Sequence, residues 1–182
     1  MAAGPPELSS AEEAEILAGV RAGGAARRDA SDRLFRKLRE PLHSLCMHLT
    51  GRRADAEDAV QEVFVAVHKG LPEFRGASRL TTWVYRIALR ASFRARARRQ
   101  EGAPVDEGAG GGGEGEMVNR DEFRRVGAAM ARLPAEPRAV LSLFAIEGLS
   151  HREIADILGI PEGTVWSRLH AARRMLVESL SG

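Results

Sequence analysis

The chain of 182 residues has little from which a sheet, a disulfide or a membrane span could be built. Its single cysteine, Cys46, excludes an internal disulfide and a cysteine-rich zinc site, which fits a reducing compartment and predicts a cytoplasmic protein. Aromatic residues make up only 5%, so the core must be assembled from Leu, Val, Ile and Ala, which suit helices better than strands. No alternating strand pattern and no internal repeat is present. No apolar run approaches the roughly 18 residues a bilayer demands, and the early acids Glu12, Glu13 and Glu15 are foreign to a signal peptide. Neither membrane insertion nor export is expected. Catalytic signatures are also missing: there is no Ser-His-Asp set, no paired-carboxylate pattern and no nucleotide motif. His43, Cys46 and His48 share a helix, but spacings of three and two residues cannot turn all three toward one metal, and Cys46 falls on the apolar face. The expectation is a non-enzymatic protein without cofactor or metal.

What is present is charge, and it is segregated. The net charge of +2 conceals a block, residues 21–100, with 18 basic and 8 acidic side chains. Residues 1–20 and 101–118 carry acids and no base. Of the 27 basic residues only Lys37 and Lys69 are lysine. A basic block between acidic stretches fits a polyanion-binding surface beside segments that avoid or imitate a polyanion. A solvated helix face in an arginine-rich protein would account for the same numbers.

The composition divides the chain at Glu101 to Glu116, where Gly102, Gly108, Gly110 to Gly113 and Gly115 alternate with acids. Such a stretch buries too little to offset its ordering entropy and reads as a flexible tether. No Gly-Lys-Ser/Thr follows the glycines, so a phosphate-binding loop is excluded. About 15 Gly-rich residues span roughly 20 Å at rest and about 50 Å when extended, so the flanking domains are expected to move independently. The predicted architecture is all-α: one small helical domain over residues 10–100, a linker over 101–118 and a second small helical domain over 119–182.

Helical periodicity fills in both halves. Ser10 with Glu13 forms a capping box ahead of Ile16, Leu17 and Val20. Leu34, Leu38, Leu42, Leu45 and Leu49 recur on one face of the next helix, which Pro41 should kink. Residues 55–69 turn Ala56, Ala59, Val63 and Val67 inward, and Ser78 is placed to cap a helix over 79–99. After the linker, helices are expected over 119–131, 135–146, 151–158 and 161–180, with Ser150 and Glu153 a second capping box.

Two segments carry function. From Ser150 to Leu169, small Ala155, the turn residue Gly159 and the apolar Ile154, Leu158, Ile160 and Val165 make a helix-turn-helix pattern. It would present the start of the last helix to a major groove, with Thr164, Trp166, Ser167, Arg168, His170, Arg173 and Arg174 as the DNA-facing candidates. A helical hairpin with a glycine turn has the same apolar spacing, and Trp166 could equally be a partner contact. The second segment, Leu80 to Arg99, carries Arg86, Arg90, Arg94, Arg96, Arg98 and Arg99 without an acid, interleaved with Trp83, Tyr85 and Phe93. Guanidinium groups match phosphates and aromatic rings offer stacking platforms, a pairing suited to strands being separated. Trp83 taken alone fits a core position.

The runs Ala56 to Phe64, Phe74-Arg75-Gly76 and Leu80 to Ala88 resemble the second conserved region of bacterial extracytoplasmic-function sigma factors of the sigma-70 superfamily. Leu133-Pro134 with Arg138, Glu147 to Ala155 and Gly163 to Arg173 resemble their fourth region. The resemblance implies a dissociable subunit that binds core RNA polymerase and directs promoter recognition and transcription initiation. It implies that Asp58, Gln61 and Glu62 dock on the polymerase. It further implies that Trp83, Arg86, Arg90, Arg94, Arg98 and Arg99 engage the minus-ten region, that the helix-turn-helix reads the minus-thirty-five element, and that an anti-sigma factor is a partner. Arg90 and Arg94 stand where the family usually writes Asn and Asp, so its minus-ten preference does not transfer. Trp166 stands where a basic residue is common. Two other readings stay open on the residues: a helix-turn-helix regulator, and a polymerase-binding protein without promoter-opening activity.

Overall fold

The structure is a computed structural model that describes residues 8–102 and 120–181, with side chains for 8–99 and 125–181. The described residues form eight α-helices and no strand: α1 Ser10–Ala22, α2 Gly24–Thr50, α3 Arg53–Gly70, α4 Leu80–Gly102, α5 Arg120–Arg132, α6 Ala135–Ala145, α7 His151–Leu158 and α8 Glu162–Ser181. A 3-10 turn, Leu71–Glu73, follows α3. Most of the expected 101–118 tether lies outside the described residues, although α4 runs on into its first two positions.

The first half is a bundle of α1 to α4, in which α2 packs against the other three helices. Its helix starts differ from expectation for a tertiary reason. The capping box of α1 uses Ser9 and Glu12, one residue earlier than Ser10 and Glu13. Glu13 is thereby left to act at a distance, and its carboxylate accepts the Leu80 N–H at 2.7 Å, capping α4 from across the bundle. Ser78, expected to cap α4, instead donates its hydroxyl to the Arg79 carbonyl at 3.2 Å. Pro41 lies inside α2, which stays helical from Gly24 to Thr50. Burial of Leu34, Leu38, Leu42, Leu45 and Leu49 holds both flanks in one helical register and offsets the roughly 3 kcal/mol that a mid-helix proline costs. Cys46 sits among them, fully buried, and burial pushes its thiol up to about 11.

The second half packs α6 and α7 against α8. Here the punctuation matches the sequence reading: Ser150 and Glu153 form the capping box of α7, and Gly159 takes the left-handed conformation, φ 66°, that ends it. Val165, Leu169 and Ala172 of α8 are buried against these helices.

The predicted pair of helical domains is found packed together. The two halves do not stand apart in this structure: α2 packs against α5 and α6, α4 packs against α7, and buried residues of both halves form one continuous apolar cluster. Beside that apolar cluster, polar groups that each half directs at the helix ends of the other also close the seam.

Candidate nucleic-acid interface

Two arginines cross the seam in opposite directions. Arg138 of α6, only 1% exposed, donates to the Leu49 carbonyl at the C-terminal end of α2 at 2.9 Å, and also to the Ala131 and Leu133 carbonyls, within and just beyond α5. Arg86 of α4 donates to the Asp156 carbonyl at 2.6 Å and the Ile157 carbonyl at 3.3 Å, at the C-terminal end of α7. Helix ends of this kind carry unsatisfied carbonyls and partial negative charge, so a guanidinium satisfies them twice over. Arg96 adds a bond to the Ala131 carbonyl at 2.8 Å. Burial, with Arg96 and Arg99 nearby, brings Arg138 down to about 10, which leaves it charged at neutral pH. Beside these contacts lies Glu147, 4% exposed, whose carboxylate accepts the Tyr85 hydroxyl at 2.8 Å. Burial raises the Glu147 carboxyl to about 7, partly opposed by that bond. Tyr85 is shifted upward as well, by burial and then by the Glu147 charge.

Along α4 the arginines divide into three groups. Arg86 and Arg96 are committed to carbonyls across the seam. Arg94 and Arg98 both meet Glu62 of α3, and Arg99 meets Asp55 at 3.5 Å. Arg90 is exposed and has no hydrogen bond or ion pair among the described residues. The aromatics expected as stacking platforms are less available than the sequence implied. Tyr85 is buried in the seam at 2% exposure, which corrects that expectation for this form of the protein. Trp83 is half-buried against Phe74, ring centres 5.3 Å apart, and a side chain at Gly70 would meet its ring at 3.0 Å.

On α3, Asp58 and Gln61 are exposed and share their face with Val65, an apolar side chain left 52% exposed. Glu62, grouped with them from the sequence, is instead half-buried beneath Arg94 and Arg98.

On α8, Trp166 is 65% exposed, and Ser167, His170, Arg173 and Arg174 are exposed along the same side. Thr164 is half-buried and its carbonyl accepts the Ser167 hydroxyl at 3.0 Å. Arg174 lies 3.8 Å from Glu178 one turn on. Arg168 turns the other way, toward α6, and pairs with Glu136 at 2.8 Å, so it braces the recognition helix. The helix-turn-helix geometry is therefore complete, with a donor-rich face pointing to solvent.

Comparison with known proteins agrees with both halves. The family model for sigma-70 region 2 matches residues 34–101, and that for sigma-70 region 4 matches residues 123–176. The chain is 33% identical over 170 residues to the ECF RNA polymerase sigma factor SigM of Mycobacterium tuberculosis, covering 92% of this chain and 84% of that one. The chain belongs to the ECF RNA polymerase sigma factors. Among solved structures, CnrH in complex with the cytosolic domain of CnrY superposes with a TM-score of 0.72 at 25% identity, covering 93% of this sigma factor and 97% of that chain. The sigma factor RpoE in complex with the anti-sigma factor NepR from Bartonella quintana shares the fold, with a TM-score of 0.66 at 22% identity over 82% of this chain and 96% of that one.

As a sigma factor the protein directs promoter recognition in transcription initiation, with the region 2 match running from within α2 through α4 and the region 4 match from within α5 into α8. No described helix of this sigma factor is long and apolar enough to cross a membrane. Sequence reasoning missed the Arg86, Arg138 and Tyr85–Glu147 contacts. The available signal was Glu147, an acid directly after the apolar run ending at Ile146, together with the single tyrosine in a helix otherwise rich in arginine.

Proposed function

We propose that the exposed side of α8, Trp166, Ser167, His170 and Arg173, reads the upstream promoter element, while α4 engages the minus-ten region through Arg90 and, once released from their present partners, Arg86, Arg94 and Arg98. Asp58 and Gln61, with Val65 between turns, form the core-polymerase contact. The protein acts by binding rather than by catalysis, in the cytoplasm. The observation that carries this reading is the segregation of side chains on the two DNA-facing helices. Apolar residues of α4 and α8 lie in one core, and their outer faces hold arginine, histidine, serine and tryptophan. An anti-sigma factor is the partner expected to hold the two halves together, since the seam described above already joins them and two structural neighbours were solved with such chains or a cytosolic partner domain.

In vitro transcription with core RNA polymerase tests the reading. Promoter-dependent transcripts are expected only when this chain is added, and substitution of Gln61 together with Asp58 by Ala should reduce them through weaker core binding. Core binding without any transcript from a selected promoter library would place the protein among polymerase-binding factors that do not open DNA.

A further inference from the structure

Three rings from three helices form a ladder on the surface of region 4. Phe144, near the end of α6, and His151, the first residue of α7, lie nearly parallel, with centres 5.3 Å apart and planes 24° apart. His151 and Trp166 of α8 continue the stack at 6.3 Å and 29°. The Arg173 guanidinium stands 5.1 Å from the Phe144 ring centre. Two outward side chains of the recognition helix are thus supported from one ladder, Trp166 by His151 and Arg173 by Phe144. Trp166 nevertheless remains 65% exposed, so the ladder ends in a large apolar face turned to solvent.

Exposed basic side chains lie close to that face in the chain: Arg152 is next to the ladder, and Arg173 and Arg174 follow along α8, Arg174 beside Glu178; Glu162 is an acid one turn before Trp166. Such basic neighbours suit a nucleic acid better than an apolar protein surface. The indole N–H donates and cannot accept, and the rest of the ring is apolar. In the major groove adenine and cytosine present amino donors, which an indole N–H cannot satisfy, and guanine presents acceptors without an apolar group. Thymine alone combines an acceptor, O4, with an apolar methyl.

We propose that Trp166 is a thymine reader in the upstream element, recognising the 5-methyl group, and that His151 and Phe144 are positioning residues that fix the indole and Arg173 against the groove. This rests on the reading of α8 as the upstream-element helix and adds the base chemistry and the supporting residues.

The test uses the sigma factor bound to core RNA polymerase. A duplex library randomised over the upstream element is selected, and each thymine of the winning sequence is then replaced by deoxyuridine, which removes only the methyl. Loss of one buried methyl is worth about 0.8 kcal/mol, so at one or two positions uracil should weaken binding about fourfold. Trp166→Ala and Trp166→Arg should bind thymine and uracil probes alike. His151→Ala should lose most of the discrimination while its melting temperature stays near that of the parent, and His151→Phe, which retains a ring, should restore it. Methyl discrimination that survives Trp166→Ala would overturn the proposal. So would a parent indifferent to uracil at every position, even though a defined upstream sequence had been selected; the reading of α8 would then stand and the thymine assignment would fall. Selection of no upstream sequence at all would remove both.

Discussion

The Tyr85 hydroxyl donates to Glu147 Oε2 at 2.8 Å, joining region 2 to region 4 through a carboxylate that is 4% exposed. No other side chain among the described residues donates to that carboxylate. Both partners are disfavoured in their charged forms, so the seam between the halves is most stable with a proton on Glu147.

The first prediction follows from the sign of that linkage. Glu147 rises from an ordinary 4.5 to about 7 in the closed form, so the folded seam binds a proton that the open state releases. The stabilisation is fully present below the ordinary carboxyl range and is lost as pH rises through about 7. The span corresponds to on the order of 3 kcal/mol. A fluorophore pair on α2 and α8 should therefore report closed domains at about pH 5 and a larger open fraction at about pH 8. Glu147→Gln should stay closed across that range. A pH-independent distance in the parent would mean that Glu147 is solvated when the seam forms.

Arg138 should prove the least replaceable polar residue. Its removal would take this donor from the buried Leu49 and Leu133 carbonyls, while Ala131 keeps Arg96, at about 1–3 kcal/mol for each buried group left unpaired. We expect Arg138→Met to lower unfolding free energy by at least about 3 kcal/mol and Arg138→Lys to recover only part, because an ammonium group lacks the planar fork that reaches several acceptors. Denaturant titration measures both. A loss below about 1 kcal/mol for Arg138→Met would show that the carbonyls find other partners.

The helices were legible in the sequence wherever burial was periodic. Val165, Leu169 and Ala172 recur at helical spacing, and Ser150 with Glu153 marks the start of α7 without ambiguity, so the helix-turn-helix could be read directly. Near Ser9 and Ser10 two serines are each followed three residues later by a glutamate, and only the tertiary demand of the Leu80 N–H for Glu13 separates them. The seam was opaque for a related reason. Arg86 and Arg138 bind backbone carbonyls, and a backbone acceptor has no residue type to betray it. A run of arginines on α4 therefore looked uniformly DNA-facing, although packing had already sorted it.

Glu62 and Gln61 should separate cleanly by experiment, although they are neighbours in the chain. Gln61 is exposed beside Asp58, so Gln61→Ala should weaken association with core polymerase and leave the melting temperature within the small range usual for surface changes. Glu62 holds Arg94 and Arg98. Because such partly exposed pairs contribute only about 0–1 kcal/mol, Glu62→Gln should cost little stability but free two cations. Binding to minus-ten DNA should then become more salt-sensitive, its log–log slope steepening by up to about 2. An unchanged slope would place both arginines away from the phosphates.

Arg90 offers the sharpest view of the minus-ten contact, because its α4 neighbours are engaged. Arg86 caps α7, Arg94 and Arg98 hold Glu62, Arg99 meets Asp55, and Arg96 reaches the Ala131 carbonyl, while Arg90 faces solvent alone among the described residues. A guanidinium donates and never accepts, so at a base edge it would favour guanine O6 and N7, and elsewhere it would bind phosphate. Asn at this position would offer both a donor and an acceptor and so suit adenine. Arg90→Asn, assayed with core polymerase on a library randomised in the minus-ten region, is expected to shift preference from guanine toward adenine at one position. If Arg90 holds a phosphate instead, the same variant should weaken all sequences alike and reduce the salt slope by about 1. Unchanged preference, affinity and salt slope together would show that this face of α4 lies off the DNA.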